Sequence, residues 1–282
     1  MMRLARGIVV RRAVLLLLPL VLAACAYLGA TRPVAPFSIP LPASPEQFRW
    51  TPFKWSPGTM LTYQAQQFME LSGEGRQRAE GFTGLLSLVS QGQTAKGLTR
   101  VEGRVNGQPF SSFLFDTDGQ LADAETVDPK SADDMKAMLQ WMPFARRLSS
   151  DSLRINTPSE AEIFAAEAFP PRLSQLTSPV IHVTLTYQGF RRIGEQDVAV
   201  IAAKANLIVD PFDRLDKDGN PVTFESWVYE ETLYLNPTHG YVIASYSTSA
   251  IRWSSSTKGP GQILLVESAT LDRGRSQGLP PR

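Results

Sequence analysis

The chain has 282 residues, of which 43% are hydrophobic, and its 28 basic and 27 acidic side chains leave a formal net charge of +1. This length and composition allow a sizeable core in one large domain or two small ones. A near-neutral charge argues against nucleic-acid binding, so we predict no nucleic-acid partner.

The first 25 residues have the order of an export signal. Arginines occupy four positions between residues 3 and 12, an apolar run covers residues 13–22, and small residues precede Cys25. The apolar run is about half of the roughly 20 residues that a membrane-spanning helix requires, and Pro19 interrupts it. We therefore predict a signal peptide at residues 1–24 that is removed.

The tetrapeptide Leu22-Ala23-Ala24-Cys25 resembles the lipobox of bacterial lipoproteins. That resemblance implies cleavage before Cys25 and attachment of fatty acids such as palmitate to its sulfur, which makes the membrane a predicted partner. Ala26 stands where inner-membrane lipoproteins have aspartate, so the resemblance implies the outer membrane, facing the periplasm. The alternative is an ordinary signal peptide with a coincidental cysteine. Cys25 is the only cysteine, so it has no disulfide partner.

Residues 25–45 predict a lipidated tether, because five closely spaced prolines between residues 33 and 45 disfavour both helix and β ladder. A single β-rich domain is predicted for residues 46–282. It begins with an aromatic patch, for which we consider both an opening strand packed on the core and an exposed interface. The patch consists of Phe48, Trp50, Phe53 and Trp55.

Most of the remaining chain alternates between apolar and polar residues with period two, which is typical of antiparallel strands. Hairpin turns are predicted at Asn106-Gly107, Asp118-Gly119 and Asp218-Gly219, since these residues tolerate positive φ. The predicted strands lie near residues 59–71, 81–90, 97–105, 109–116, 180–189, 196–209, 222–235, 241–255 and 262–271.

Two helices are predicted within this series. The first covers residues 132–148, where Ser131 is the cap and an apolar stripe follows at helical spacing. The second covers residues 158–168, after the capping pattern Thr157-Pro158-Ser159-Glu160. The stripe of the first helix either lines a cavity for an apolar ligand or fills the core; it consists of Met135, Met138, Leu139 and Met142.

The predicted fold class is mainly β, with a large curved antiparallel sheet that forms a half-barrel meander and two inserted helices that cover its concave face. This arrangement, together with the lipobox, resembles the curved-sheet lipoproteins and lipid carriers of the LolA, LolB and LppX type. The resemblance implies an open barrel whose apolar cavity holds acyl chains. It is architectural, so no family residue is carried over as a ligand contact.

No catalytic constellation emerges from the sequence. His182 lies on the polar side of a predicted strand and His239 in a turn, and neither has a companion at metal-ligand spacing. Glu225 and Glu231 share a strand face with Trp227 and Tyr229, and alternation on an outward face explains them. We therefore predict no enzyme, no catalytic residue, no metal site and no cofactor.

Two functions remain compatible with the sequence. The first is a membrane-anchored structural or protein-interaction module of the cell envelope, which we expect because envelope lipoproteins scaffold more often than they transport. The alternative is a carrier or chaperone of an apolar ligand, such as a lipid or the acyl chain of a lipoprotein. The possible partners are thus an envelope protein or a lipid ligand, in addition to the membrane.

Overall fold

The computed structural model describes residues 31–73, 76–119, 121–126, 152–164, 179–208, 211–215 and 219–280. All regular secondary structure in these ranges is β-strand, arranged in one large antiparallel sheet and a small two-stranded sheet. The predicted class, mainly β with a large antiparallel sheet, is therefore confirmed.

The nine strands predicted from alternation are all present, and the described residues contain six others. In chain order the strands are β1 (Ile39–Pro40), β2 (Gln47–Phe48), β3 (Met60–Gly73), β4 (Arg76–Gln93), β5 (Thr99–Val105), β6 (Gln108–Phe115), β7 (Leu121–Thr126), β8 (Leu153–Arg154), β9 (Pro158–Phe164), β10 (Val180–Ile193), β11 (Gln196–Asn206), β12 (Phe212–Leu215), β13 (Pro221–Leu235), β14 (Val242–Ser255) and β15 (Gly259–Leu271).

The large sheet joins two series of neighbouring strands. One series is β3-β4-β5-β6-β7, and the other is β10-β11-β13-β14-β15. Pairing of β15 with β3, from Gly261 opposite Gly73 to Leu271 opposite Tyr63, connects them. The first and last long strands therefore lie side by side in the sheet's centre. Among the described residues the path ends at β7 on one side and at β1 and β9, which both pair with β10, on the other, so this part of the chain does not close the sheet into a barrel.

One face of the large sheet carries most of the core, and we call it the inner face. On β10, Ile181, Val183 and Leu185 are buried there, while His182 points the other way and is exposed, as alternation predicts. Cross-strand pairing extends this face from Leu185 to Ala203 on β11 and then to Glu231 on β13. The inner face therefore combines apolar side chains with a buried glutamate.

The segment that follows the tether closes one end of the core. Phe48 is buried, and its ring stacks on Tyr187 with the centroids 5.2 Å apart. The indole Nε1–H of Trp50 donates a hydrogen bond of 2.8 Å to the carbonyl of Gly240 in the β13–β14 turn. The aromatic patch as a whole packs with the core: Phe48 is a member of it, and Trp50, Phe53 and Trp55 are half-buried against it.

The predicted helix at residues 158–168 is wrong over its described part, because Pro158–Phe164 form strand β9. This strand pairs with β10, from Pro158 opposite Thr186 to Phe164 opposite Val180. Proline is tolerated there because it is the first residue of the strand. Residues 165–168 and the predicted helix at 132–148, with Met135, Met138, Leu139 and Met142, lie outside the described residues.

The last part of the predicted tether lies on the sheet. Ile39 and Pro40 pair with Arg192 and Arg191 of β10, and the Leu41 amide donates a hydrogen bond of 3.0 Å to the Phe190 carbonyl. An edge position accommodates proline because only one side of the strand needs hydrogen bonds. Residues 1–30, including Cys25, lie outside the described residues.

Candidate functional site

A line of polar side chains crosses the centre of the inner face. Backbone pairing places Glu231 of β13 opposite Ser247 of β14, Ser247 opposite Glu267 of β15, and Glu267 opposite Gln67 of β3. Tyr229 lies on the same face of β13, two residues before Glu231. We call these five residues the inner-face acidic site.

Hydrogen bonds connect Glu267 to both neighbouring strands, whereas Glu231 is much less satisfied. The Gln67 amide donates to Oε1 of Glu267 over 2.8 Å, and the Ser247 hydroxyl donates to Oε2 over 3.5 Å. Glu231 is only 3% exposed, and within the described ranges neither of its carboxyl oxygens has a hydrogen bond of normal geometry. A buried carboxyl in this state is costly, and more so when ionised.

Burial makes both carboxyl groups weaker acids than an exposed glutamate. It raises the pKa of Glu231 well above the ordinary glutamate value, a rise that the Tyr229 hydroxyl opposes and the charge of Glu267 increases. Burial also raises the pKa of Glu267 to about 8, against the opposing hydrogen bonds from Gln67 and Ser247. Glu267 is therefore mainly protonated at neutral pH, and burial favours the neutral form of Glu231 as well.

Apolar side chains of β3 and β15 occupy the next two rows of the inner face on one side of the acidic site. Met69 pairs with Leu265 and Leu71 with Ile263, and Phe82 of β4 shares the same face. Met69, Leu71 and Phe82 are 38%, 41% and 36% exposed. Adjacent exposed apolar residues are typical of binding surfaces, whereas single ones are common everywhere. We call these five residues the apolar margin.

The site and its margin together form an amphipathic surface. A protonated carboxyl donates a hydrogen bond to a ligand acceptor, and an ionised one attracts a cation. The margin offers hydrophobic contact within one or two residue rows of Glu267, since successive same-face residues on a strand are about 7 Å apart. This arrangement suits a molecule with an apolar chain and a polar head.

A concave region lies on the opposite face of the sheet. It has a volume of about 370 Å³ and is lined by polar groups such as Glu160, His182 and Lys204. Thr184 donates a hydrogen bond of 2.9 Å to Glu160, and the Lys204 ammonium contacts Glu230 at 2.6 Å. Exposed pairs of this kind contribute little, so this region is an ordinary solvated face.

The aromatic patch, which is the described part of the candidate residues predicted from the sequence, does not meet the acidic site. The aromatic patch lies at the closed end of the core, and Cys25 and the methionine stripe lie outside the described residues. His182 is exposed on its strand, as predicted, and pairs with Glu162 across 3.5 Å. Sequence patterns did not identify Gln67 or Glu267, whose strands are distant in the chain. They assigned Glu231 to an outward face, although Trp227, Tyr229 and Leu233 on the same side indicated burial.

Two further observations bear on the predicted classes. Among the described residues no group of three or more histidine, cysteine, aspartate or glutamate side chains is arranged to hold a metal ion. The same part of the chain contains no helix long and apolar enough to span a membrane.

Comparison with known proteins gives no family. No family model matches the sequence, and no curated protein matches it. Among solved structures, a DUF1329 family protein from Desulfovibrio piger is 10% identical, with 77% of this chain and 87% of that chain covered and a TM-score of 0.16. At this TM-score the likeness supports no conclusion about fold or function.

Proposed function

We propose that this protein is a lipid-anchored cell-envelope protein that holds an apolar molecule, such as a lipid or a lipoprotein acyl chain, on the inner face of its sheet. The observation that carries the proposal is the apolar margin, where three large side chains of two neighbouring strands are exposed on the face that also forms the core. Exposed apolar surface of this kind is costly unless it binds something.

The proposed anchor is the acylated Cys25. Its support is the sequence order of basic residues, apolar run and Leu22-Ala23-Ala24-Cys25. Two or three acyl chains give stable attachment to a bilayer, whereas one is marginal. With Ala26 after the cysteine, the proposed location is the outer membrane, with the domain in the periplasm.

We also propose that the sheet curves around the inner face as a half-barrel. The open hydrogen-bonded path supports this form, because long twisted sheets coil unless they are flattened or closed. Small side chains at the centre of the inner face also support it, since a concave surface leaves less room for each residue. They include Ala65, Ala203, Ser245, Ser249 and Ala269.

The test is mass spectrometry of lipid that co-purifies with the full chain carrying Cys25→Ser, extracted without detergent. We expect acyl-chain lipid in the parent and about tenfold less in Leu71→Glu, because a charge replaces a ligand-facing apolar group. Leu215→Glu is the matched control, since Leu215 is 71% exposed on β12, away from the margin. Absence of lipid from the parent, or equal loss in both variants, would contradict the proposal.

A second candidate is the protein-interaction module, and the edge of the sheet favours it. Within the described residues β7 pairs only with β6, and an unpaired strand edge is a template for strand addition by a partner. A photo-crosslinking residue at the exposed Ala122 should then capture an envelope protein in cells. If no protein is captured at Ala122 and the lipid test is positive, the interaction module is contradicted and the carrier remains as the proposed function.

A further inference from the structure

The two glutamates of the inner-face acidic site have no cationic neighbour on their strands. Glu231 and Glu267 are separated in the cross-strand row by Ser247 and flanked by Ala203 and Gln67. On the same face, the described cation in the adjoining part of β4 is Arg78, which is exposed and forms an ion pair with Glu80. Among the described residues, the two carboxyl groups therefore have no cation on their own strands to neutralise them once they ionise.

Access to the two carboxyl groups is graded along the face. Glu231 is almost fully buried, Glu267 is half-buried, and Met69, in the next row, is exposed. Both Glu231 carboxyl oxygens lack a normal hydrogen bond within the described ranges. A ligand that lies along the apolar margin would therefore bring its end first to Glu267 and then to the unsatisfied Glu231.

We propose that the inner-face acidic site binds the ammonium head of a single-chain amphiphile whose alkyl tail lies on the apolar margin. This inference rests on the proposed function, because it names the ligand class of the same face. An ammonium group supplies three hydrogen-bond donors to the carboxyl oxygens, and its positive charge favours the ionised form of both glutamates. A hydroxyl head on the same tail supplies one donor and no charge.

The proposal is tested by calorimetric titration of the full chain carrying Cys25→Ser with n-decylamine and with n-decanol at about pH 9. At this pH Glu267, whose pKa is about 8, is mainly ionised, and an alkylammonium group still keeps its proton. The two probes share a tail and differ in the head group. We expect decylamine to bind about tenfold more tightly than decanol, which is a modest value for a charge-assisted contact in a buried site. Decanol reports the tail contribution alone.

Substitution of the glutamates separates the head from the tail. Glu231→Gln with Glu267→Gln should reduce the decylamine preference to about onefold while leaving decanol affinity within about twofold, since amides keep the shape but lose the charge. Glu230→Gln is the matched control, because Glu230 is the exposed neighbour on the opposite face and contacts Lys204. It should keep the full preference.

The outcomes distinguish this inference from the function on which it rests. Equal binding of decylamine and decanol, or a preference that persists in the double variant, would overturn the ammonium site and leave the apolar carrier intact. Failure of both probes to bind would overturn the carrier and the ammonium site together. Loss of the preference in Glu230→Gln would show that surface charge, rather than the acidic site, attracts the amine.

Discussion

Glu267 retains its proton to a higher pH in the folded protein than in the unfolded chain. Its pKa is raised from the ordinary value of 4.5 to about 8, chiefly by burial. Between these two values the unfolded chain releases the proton and the folded protein keeps it, so the folded state binds more protons. The free energy of unfolding therefore falls as pH rises through this window and levels off above it.

Glu267→Gln should remove this pH dependence. The parent is expected to lose stability between about pH 5 and about pH 8, by at most about 1.4 kcal/mol per pH unit from this group. The variant should show a shallower slope and higher stability at the upper end, because glutamine keeps an acceptor for Gln67 without an ionisable group. Urea unfolding followed by tryptophan fluorescence across this pH range measures the free energy of unfolding and its slope with pH for the parent and the variant.

Glu230→Gln serves as the control for the pH series, since Glu230 is exposed on the other face of β13. Its slope should match that of the parent. A Glu267→Gln slope as steep as the parental one would mean that Glu267 is not the group that couples folding to pH. The burial that makes Glu267 costly for the fold also places it where a ligand charge would count most.

At the scale of elements, the N-terminal segment docks on the β13–β14 turn by close backbone contact. Gly240 has φ +71°, and a Cβ added there would lie 1.7 Å from the carbonyl oxygen of Thr51. Gly240→Ala should therefore both strain the turn and displace the segment that carries Trp50, with a loss of at least about 3 kcal/mol. Chemical denaturation measures the loss.

Gly194→Ala isolates the contribution of backbone strain. Gly194, in the β10–β11 turn, has φ +56°, but an added Cβ meets nothing within 4 Å. It should cost only about 1 kcal/mol, the penalty for a left-handed alanine. Equal losses in the two variants would show that contact with Thr51 does not hold the segment in place.

The elements that the sequence predicted well are those whose alternation is long and uninterrupted. On β10, buried Ile181, Val183 and Leu185 alternate with polar residues, so both the strand and its faces could be read directly. Strand β9 could not be predicted in this way, because Thr157-Pro158-Ser159-Glu160 satisfies a local helix-start pattern. Pairing with β10, about 20 residues later in the chain, decides its structure, and tertiary pairing overrides local propensity.

Local sequence patterns could not predict the acidic site either, because its residues come together only through strand pairing. Glu231 and Glu267 lie on different strands, and Gln67 joins them only through pairing of β15 with β3. The sequence placed Glu231 correctly on the face of Trp227 and Tyr229 but not on the buried side, since a charged residue usually marks the outward face. The irregularity between Phe224 and Ser226 also removes Glu225 from the regular alternation.

At the scale of the whole molecule, the sheet fixes where a lipid tether would end. The pairing of Ile39 and Pro40 with β10 anchors the chain to the sheet edge, so an extended tether between Cys25 and residue 38 would have a reach on the order of 40 Å. That length allows the inner face to approach the bilayer surface without the domain entering it. A carrier that exchanges an amphiphile with a membrane needs such proximity.

Cys25→Ser should release the protein from the envelope. Without a sulfur atom to acylate, the chain loses two or three acyl chains, each worth about 0.8 kcal/mol per buried methylene, and the remaining surface cannot replace them. Metabolic palmitate labelling should mark the parent and Ala26→Ser, the matched neighbour control, but not Cys25→Ser. Fractionation should move only Cys25→Ser to the soluble fraction, and its retention in envelopes as firmly as the parent would contradict the lipid anchor.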